Sequence, residues 1–210
     1  MSADRRFDLA AAIGSAVVIA AGVLFFGWST VTVLAFYWIE NVIIGVFNLV
    51  RMGVAAARSG RPFNGVFLCV FFSIHYGLFC LAHAYFITSI FGADRIDDRF
   101  MFDPALALFA RARSDAIGTV ALLAMVVSAG METVQWLMNA DGADRADPQH
   151  VMFAPYGRIV VLHIVLLGGG FLLQILHAPA LAALLLVGAK LAYDVLRMRA
   201  APSIAPGRAA

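Results

Sequence analysis

The run FNGVFLCVFFSIHYGLFCLAHAYFITSIF, residues Phe63–Phe91, holds no Asp, Glu, Lys or Arg. At about 1.5 Å per residue, a helix of this length more than crosses a hydrocarbon core roughly 30 Å thick. Apolar residues occupy all sides of it, whereas a membrane barrel needs alternating strands of about ten residues. Only helices and closed barrels satisfy their backbones in lipid, so the run predicts a transmembrane helix. Its excess length predicts that it tilts or extends past the membrane.

Outward from this run the same pattern recurs. Apolar stretches cover Phe7–Trp28, Thr30–Val50, Ala116–Met138, Tyr156–Leu176 and Ala178–Leu196, which makes six spans. The turns at Gly27-Trp28-Ser29 and His177-Ala178-Pro179 are short, so spans one and two form a tight hairpin, as do five and six. Composition agrees: of 210 residues 62% are hydrophobic and 13% charged, with a mean hydropathy of +0.88. Soluble domains carry about a quarter charged residues, because water must be met by something polar. A net charge of +2 is too small to suggest nucleic acid.

Arginine placement sets the orientation. With the N-terminus inside, Arg5, Arg6, Arg51, Arg58, Arg61, Arg145, Arg158, Arg197, Arg199 and Arg208 are cytoplasmic. Outside lie Arg95, Arg99, Arg111 and Arg113, balanced by Asp94, Asp97, Asp98, Asp103 and Asp115. The expected fold is therefore all-α: a six-transmembrane-helix bundle with both termini cytoplasmic. It forms one membrane domain over residues 1–199, followed by a disordered Ala- and Pro-rich tail, 200–210. Arg5-Arg6 ahead of an apolar stretch also fits a signal peptide, but the stretch is longer than a signal core and reads as an uncleaved span. In the outer loop Gly92–Asp115, Asp103-Pro104 suggests a helix start with Asp as cap. Ala105–Arg113 is then either a short helix on the membrane surface or an ordinary loop. Cys69 and Cys80 lie about 16 Å apart along one helix, too far for a disulfide.

Polar groups inside an apolar span are costly and point to function. The second span carries Glu40 on the edge of a face formed by Tyr37, Asn41, Gly45 and Asn48. The third carries His75 and His83, the fourth a stripe of Ser128, Glu132, Gln135 and Asn139. The fifth aligns Tyr156, His163, Gly170 and Gln174, and the sixth holds Lys190 and Asp194 one turn apart. The amide and hydroxyl stripes can serve only as glue between helices. Lys190 and Asp194 can neutralise each other, or Lys190 can snorkel to the inner headgroups; His83 can reach the outer interface.

Glu40, His75 and His163 come from three spans, each roughly 10–18 Å from a membrane face. His, His and Glu suit zinc or iron, and two facing histidines can clamp a haem. No HExxH, CxxC or rhomboid Gly-x-Ser-Gly pattern accompanies them.

The strings Tyr37-Trp38-Ile39-Glu40-Asn41-Val42-Ile43-Ile44-Gly45, His75-Tyr76-Gly77-Leu78-Phe79 and Pro155-Tyr156-Gly157-Arg158-Ile159-Val160 resemble an uncharacterised prokaryotic multi-pass membrane family, defined only as a domain of unknown function. The resemblance covers nearly the whole chain. It implies a single six-helix domain in a prokaryotic inner membrane and transfers no activity.

Three readings follow. The first is a metal- or ligand-binding site of Glu40, His75 and His163, open to catalysis, with Asn41 orienting and His83 secondary. The second is a proton- or ion-coupled transporter, with Asn48, Ser128, Glu132, Gln135, Lys190 and Asp194 extending a polar path. The third is a structural protein whose polar groups only hold helices together. The lipid bilayer is the expected partner, and the sequence leaves a homo-oligomer open.

Overall fold

A computed structural model describes residues 3–59, 62–91, 100–138, 147–157, 159–160, 164, 168 and 179–200. Among these residues the chain is all-α, with seven helices. They are α1 (Ala3–Phe25), α2 (Thr30–Arg58), α3 (Pro62–Phe91), α4 (Asp103–Ala112), α5 (Ala116–Met138), α6 (Pro148–Phe153) and α7 (Pro179–Ala200). Three of them, α2, α3 and α5, are long and apolar enough to cross a membrane. The tail 201–210, outer-loop residues 92–99 and most of the expected fifth span, including His163, Gly170 and Gln174, lie outside the described residues, as does Asn139.

α2 is the hub, packing against α3, α4, α5, α6 and α7. Its first half is buried all round, including Val33, Leu34, Ala35 and Phe36 at 0% exposure. The α2–α3 seam is antiparallel. Trp38 Nε1 donates to the Cys80 carbonyl (2.7 Å), Tyr76 Oη donates to the Asn41 carbonyl (2.9 Å), and Gly65 lies against Ala56. α5 runs parallel to α2: Trp28, just before α2, meets Asp115, Phe47 meets Gly130, and Arg51 meets Thr133. The outward faces of α3 and α5 present Phe67, Phe71, Ile74, Leu123, Val127 and Val134 in the open. Such an exterior suits hydrocarbon rather than water.

Three details differ from the sequence reading. The turn between α1 and α2 is as short as expected, with Gly27 at φ +67°, a conformation glycine adopts without steric cost. Yet α1 packs chiefly on α7 rather than along α2. Trp28, in that turn, points inward, stacks on Phe36 (4.7 Å) and donates to Asp115 Oδ2 (2.8 Å). Asp115 thereby locks the turn to the start of α5, since its Oδ1 accepts from Gly118 N (2.6 Å). Of the two options for Ala105–Arg113, the helix forms, with its inner residues Leu108 and Ala112 sealed into the core. Phe102 is its N-cap, and Asp103 Oδ2 instead accepts from Phe100 N (2.9 Å). Finally, α6 was not expected; Asp147 caps it by accepting from Gln149 N (3.0 Å), with Pro148 at its first position.

Candidate functional site

Tyr37, Asn41, Gly45 and Asn48 form one buried face of α2, as their spacing requires. Glu40, at the edge of that face, looks towards α7. There Lys190 Nζ sits 3.0 Å from Glu40 Oε1 and 2.9 Å from Oε2. The same ammonium is 3.0 Å from Asp194 Oδ2, one turn along its own helix. The side chains of Glu40, Lys190 and Asp194 are only 20%, 14% and 11% exposed. Nζ also stands 5.6 Å from the centroid of the Tyr37 ring, within cation–π range.

Lys190 is the chain's only lysine, all the other basic side chains being arginine or histidine. A lysine ammonium is a compact point charge on a flexible stem, which releases one partner more readily than a forked guanidinium does. The i,i+4 spacing pairs Lys190 with Asp194, and that pair is present. Local spacing does not join the pair to Glu40. A usable signal existed: Glu40 is ten residues into α2 and Lys190 eleven into α7, so both carry their charge about 15 Å from the helix start.

Two polar atoms on the neighbouring face of α2 are buried with no hydrogen-bond partner among the described residues, Tyr37 Oη and Asn41 Oδ1. Asn41 spends its amide hydrogen on the Tyr37 carbonyl (2.8 Å), which turns Oδ1 away from that bond. Both carboxylates act electrostatically on the Tyr37 hydroxyl.

The other expected site residues are spread out. His75 is exposed on α3, its ring stacked on Phe71 (5.4 Å) and Tyr156 (6.1 Å). His83 is buried, with Nδ1 2.7 Å from the Phe79 carbonyl. A carbonyl only accepts, so Nδ1 carries the proton in that bond. Asn48 donates to the Val151 carbonyl (3.0 Å) and so ties α6 to α2. Glu132 is 3.9 Å from Arg51, whose Nε donates to Thr133 Oγ1 (3.1 Å). Ser128 is half-buried and Gln135 exposed. Cys69 and Cys80 are free thiols. His163 is outside the described residues, so the Glu40, His75 and His163 trio is not assembled in them. Among the described residues no group of three or more His, Cys, Asp or Glu side chains is placed to hold a metal.

Residues 1–209 match a protein family described as a family of unknown function (DUF6498). No curated protein and no solved structure matches the chain.

Proposed function

The chain belongs to the DUF6498 family of unknown function, and from its own chemistry we propose that it is an integral membrane transporter coupled to a proton or another cation. Its coupling centre is Glu40, Lys190 and Asp194. In this reading residues 1–199 form one six-span domain of a prokaryotic inner membrane, with both termini cytoplasmic.

Helix direction supports the span count. Lys190 lies level with Glu40, and Tyr193, further along α7, comes near Gly157. Gly157 belongs with α6 and Tyr156, beside the later half of α2. α7 then runs parallel to α2, as α5 does. One opposite crossing is needed between α5 and α7, and residues 155–178 supply the length for it. After the turn at Pro155, the described residues of that stretch, Tyr156, Gly157, Ile159, Val160, Ile164 and Gly168, are helical.

The observation that carries the transporter reading is two carboxylates from two helices sharing one ammonium well inside two long helices. An ion pair in such a place contributes little net stability, because desolvation offsets the attraction. Intramembrane ionisable groups of this kind mark ion and proton pathways, and secondary transporters bind at the midplane.

A proton or cation step across a solid-supported membrane carrying the protein is expected to give a charge-displacement transient in wild type. Glu40→Gln should reduce it at least tenfold. A folded wild-type protein silent to both steps would remove the transporter reading. If Glu40→Gln loses stability and leaves the transient intact, Glu40 is only glue.

The rival metal site of Glu40, His75 and His163 makes the opposite prediction. On the transporter reading, protein purified without chelators holds no stoichiometric zinc, iron or copper. About one equivalent by elemental analysis, lost in both His75→Ala and His163→Ala, would put the metal site in its place.

A further inference from the structure

We infer that the outward face of α3 around His75 binds a membrane-dissolved molecule with a flat, uncharged, hydrogen-bond-accepting head, the chemistry of an isoprenoid quinone. The site is separate from the coupling centre and does not depend on it.

A strip of aromatic rings forms its surface. Phe67 stacks on Phe71 (6.4 Å) and Phe71 on His75 (5.4 Å, 8° between planes), the four-residue repeat that lines side chains up along one helix face. Tyr156 also stacks on His75 (6.1 Å, 25°), and Phe153 lies beside Tyr156 (5.6 Å). The rings come from two separate stretches of chain, and Phe67, Phe71, His75 and Phe153 are exposed. No carboxylate, ammonium or guanidinium is among the five side chains.

The imidazole is the odd member. His75 comes thirteen residues after Pro62 and sixteen before Phe91, so about 20 Å of helix separates it from either end. Its exposed neighbours Phe71, Ile74 and Leu78 are apolar. Ser73, the polar side chain closest in sequence, gives its hydroxyl to the Cys69 carbonyl (2.8 Å). His75 makes ring contacts, but neither of its nitrogens has a hydrogen-bond partner among the described residues. An imidazole carries at least one N–H donor whatever its protonation state, and leaving it unpaired in hydrocarbon is costly. His75 is satisfied by an acceptor that arrives through the lipid.

The strip also says what kind of acceptor. A phosphate head calls for arginine or lysine, and the strip has neither. Exposed aromatic rings offer flat apolar surface to another flat ring, and the N–H among them suits a ring carbonyl. A neutral quinone ring on a hydrocarbon tail meets each demand. His75 donates to its carbonyl, Phe71 and Tyr156 supply the aromatic surface, and the tail lies along the apolar exterior of α3.

The probe is decylubiquinone, titrated against purified full-length protein in detergent. Decylbenzene at equal concentration is the reference, a ring and tail without carbonyls. A ligand that binds only the folded state raises the unfolding midpoint, so decylubiquinone is expected to raise it saturably where decylbenzene does not. His75→Leu should raise the half-effective concentration about tenfold, the worth of one hydrogen bond. Phe71→Leu keeps apolar contact but removes the flat ring, and should raise it severalfold. Misfolding is not a rival explanation for His75→Leu. It exchanges an exposed ring without a described hydrogen bond for an apolar side chain, so its ligand-free midpoint should be unchanged or higher. Equal midpoints with the two additives overturn the inference, as does a decylubiquinone response untouched by His75→Leu. A wild-type oligomer that His75→Leu turns into monomers, with no response to decylubiquinone, also overturns it and puts a second copy of the chain on this face. Folded Glu40→Gln should keep the full response, even if no charge transient is found in wild type. Loss of the response in that variant would overturn the placement on α3.

Discussion

Lys190→Met is expected to lower the unfolding free energy by about 3–5 kcal/mol, the usual cost of breaking a buried ion pair from one side. The size follows from what is left behind. Glu40 and Asp194 both take their contact from Nζ, at 2.9 and 3.0 Å. Methionine fills the space of the stem and supplies no positive charge, so two carboxylates face each other across a partly buried gap. Glu40→Gln should cost less, because Lys190 keeps Asp194. The double variant Glu40→Gln/Lys190→Met should fall short of the sum of the two single effects by about 1–3 kcal/mol, since glutamine no longer needs the lost ammonium. Unfolding in mixed micelles, followed by tryptophan fluorescence, measures all three. Additive losses would mean that Glu40 and Lys190 do not interact, and the coupling centre would dissolve with that result.

The ends of the helices were legible where composition alone decides them. α3 and α5 begin and end within a residue of their apolar runs, because nothing at those boundaries competes with hydropathy. α2 was read as ending at Val50 and continues to Arg58. A hydrocarbon boundary is not a helix boundary, and Arg51 or Arg58 can sit in a helix beyond it. The helix stops where Ser59 caps it, donating its backbone N–H to the Ala55 carbonyl (3.0 Å) and its hydroxyl to that of Ala56 (2.9 Å). The short α6 carried no hydropathy signal, and only its Asp147-Pro148 start could have been read.

The site was half legible. A glutamate in an apolar run stands out wherever it is, and Glu40 was picked on that ground. Its partner was not, because no local rule links residue 40 to residue 190. The histidines show a second gap. Depth in a membrane is not burial in protein, and helical phase decides between them. His75 and His83 are eight residues apart, a rotation of about 80° at 3.6 residues per turn, enough for one to lie in the packed seam and the other outside it. The face that packs on α2 carries Phe72, Tyr76 and His83, all buried, and His75 points away from it.

That seam has its own weak point at Gly45. A Cβ built there would fall within the ring of Tyr76. The ring has nowhere to go, being 4% exposed, stacked on Phe72 at 4.7 Å and held by its hydroxyl to the Asn41 carbonyl. Small residues at helix contacts in lipid allow this closeness, on which the packing between helices depends. Gly45→Val is therefore expected to destabilise by about 2–4 kcal/mol, adding overpacking to a lost hydrogen bond. Intrinsic helix preference acts the other way, since valine is the better helix former by a few tenths of a kcal/mol. Any loss thus reports the contact and not the backbone. Gly45→Val combined with Tyr76→Ala should cost less than the two changes summed, because removing the ring makes room for the new side chain. An unchanged midpoint for Gly45→Val, or strict additivity in the pair, would mean that α2 and α3 are not packed as described. The consequence reaches the coupling centre, because Asn41 lies next to Glu40 and its carbonyl is the Tyr76 acceptor. Displacing that ring shifts the stretch of α2 that presents Glu40 to Lys190, so Gly45→Val should also weaken the Glu40-dependent charge transient in whatever protein remains folded.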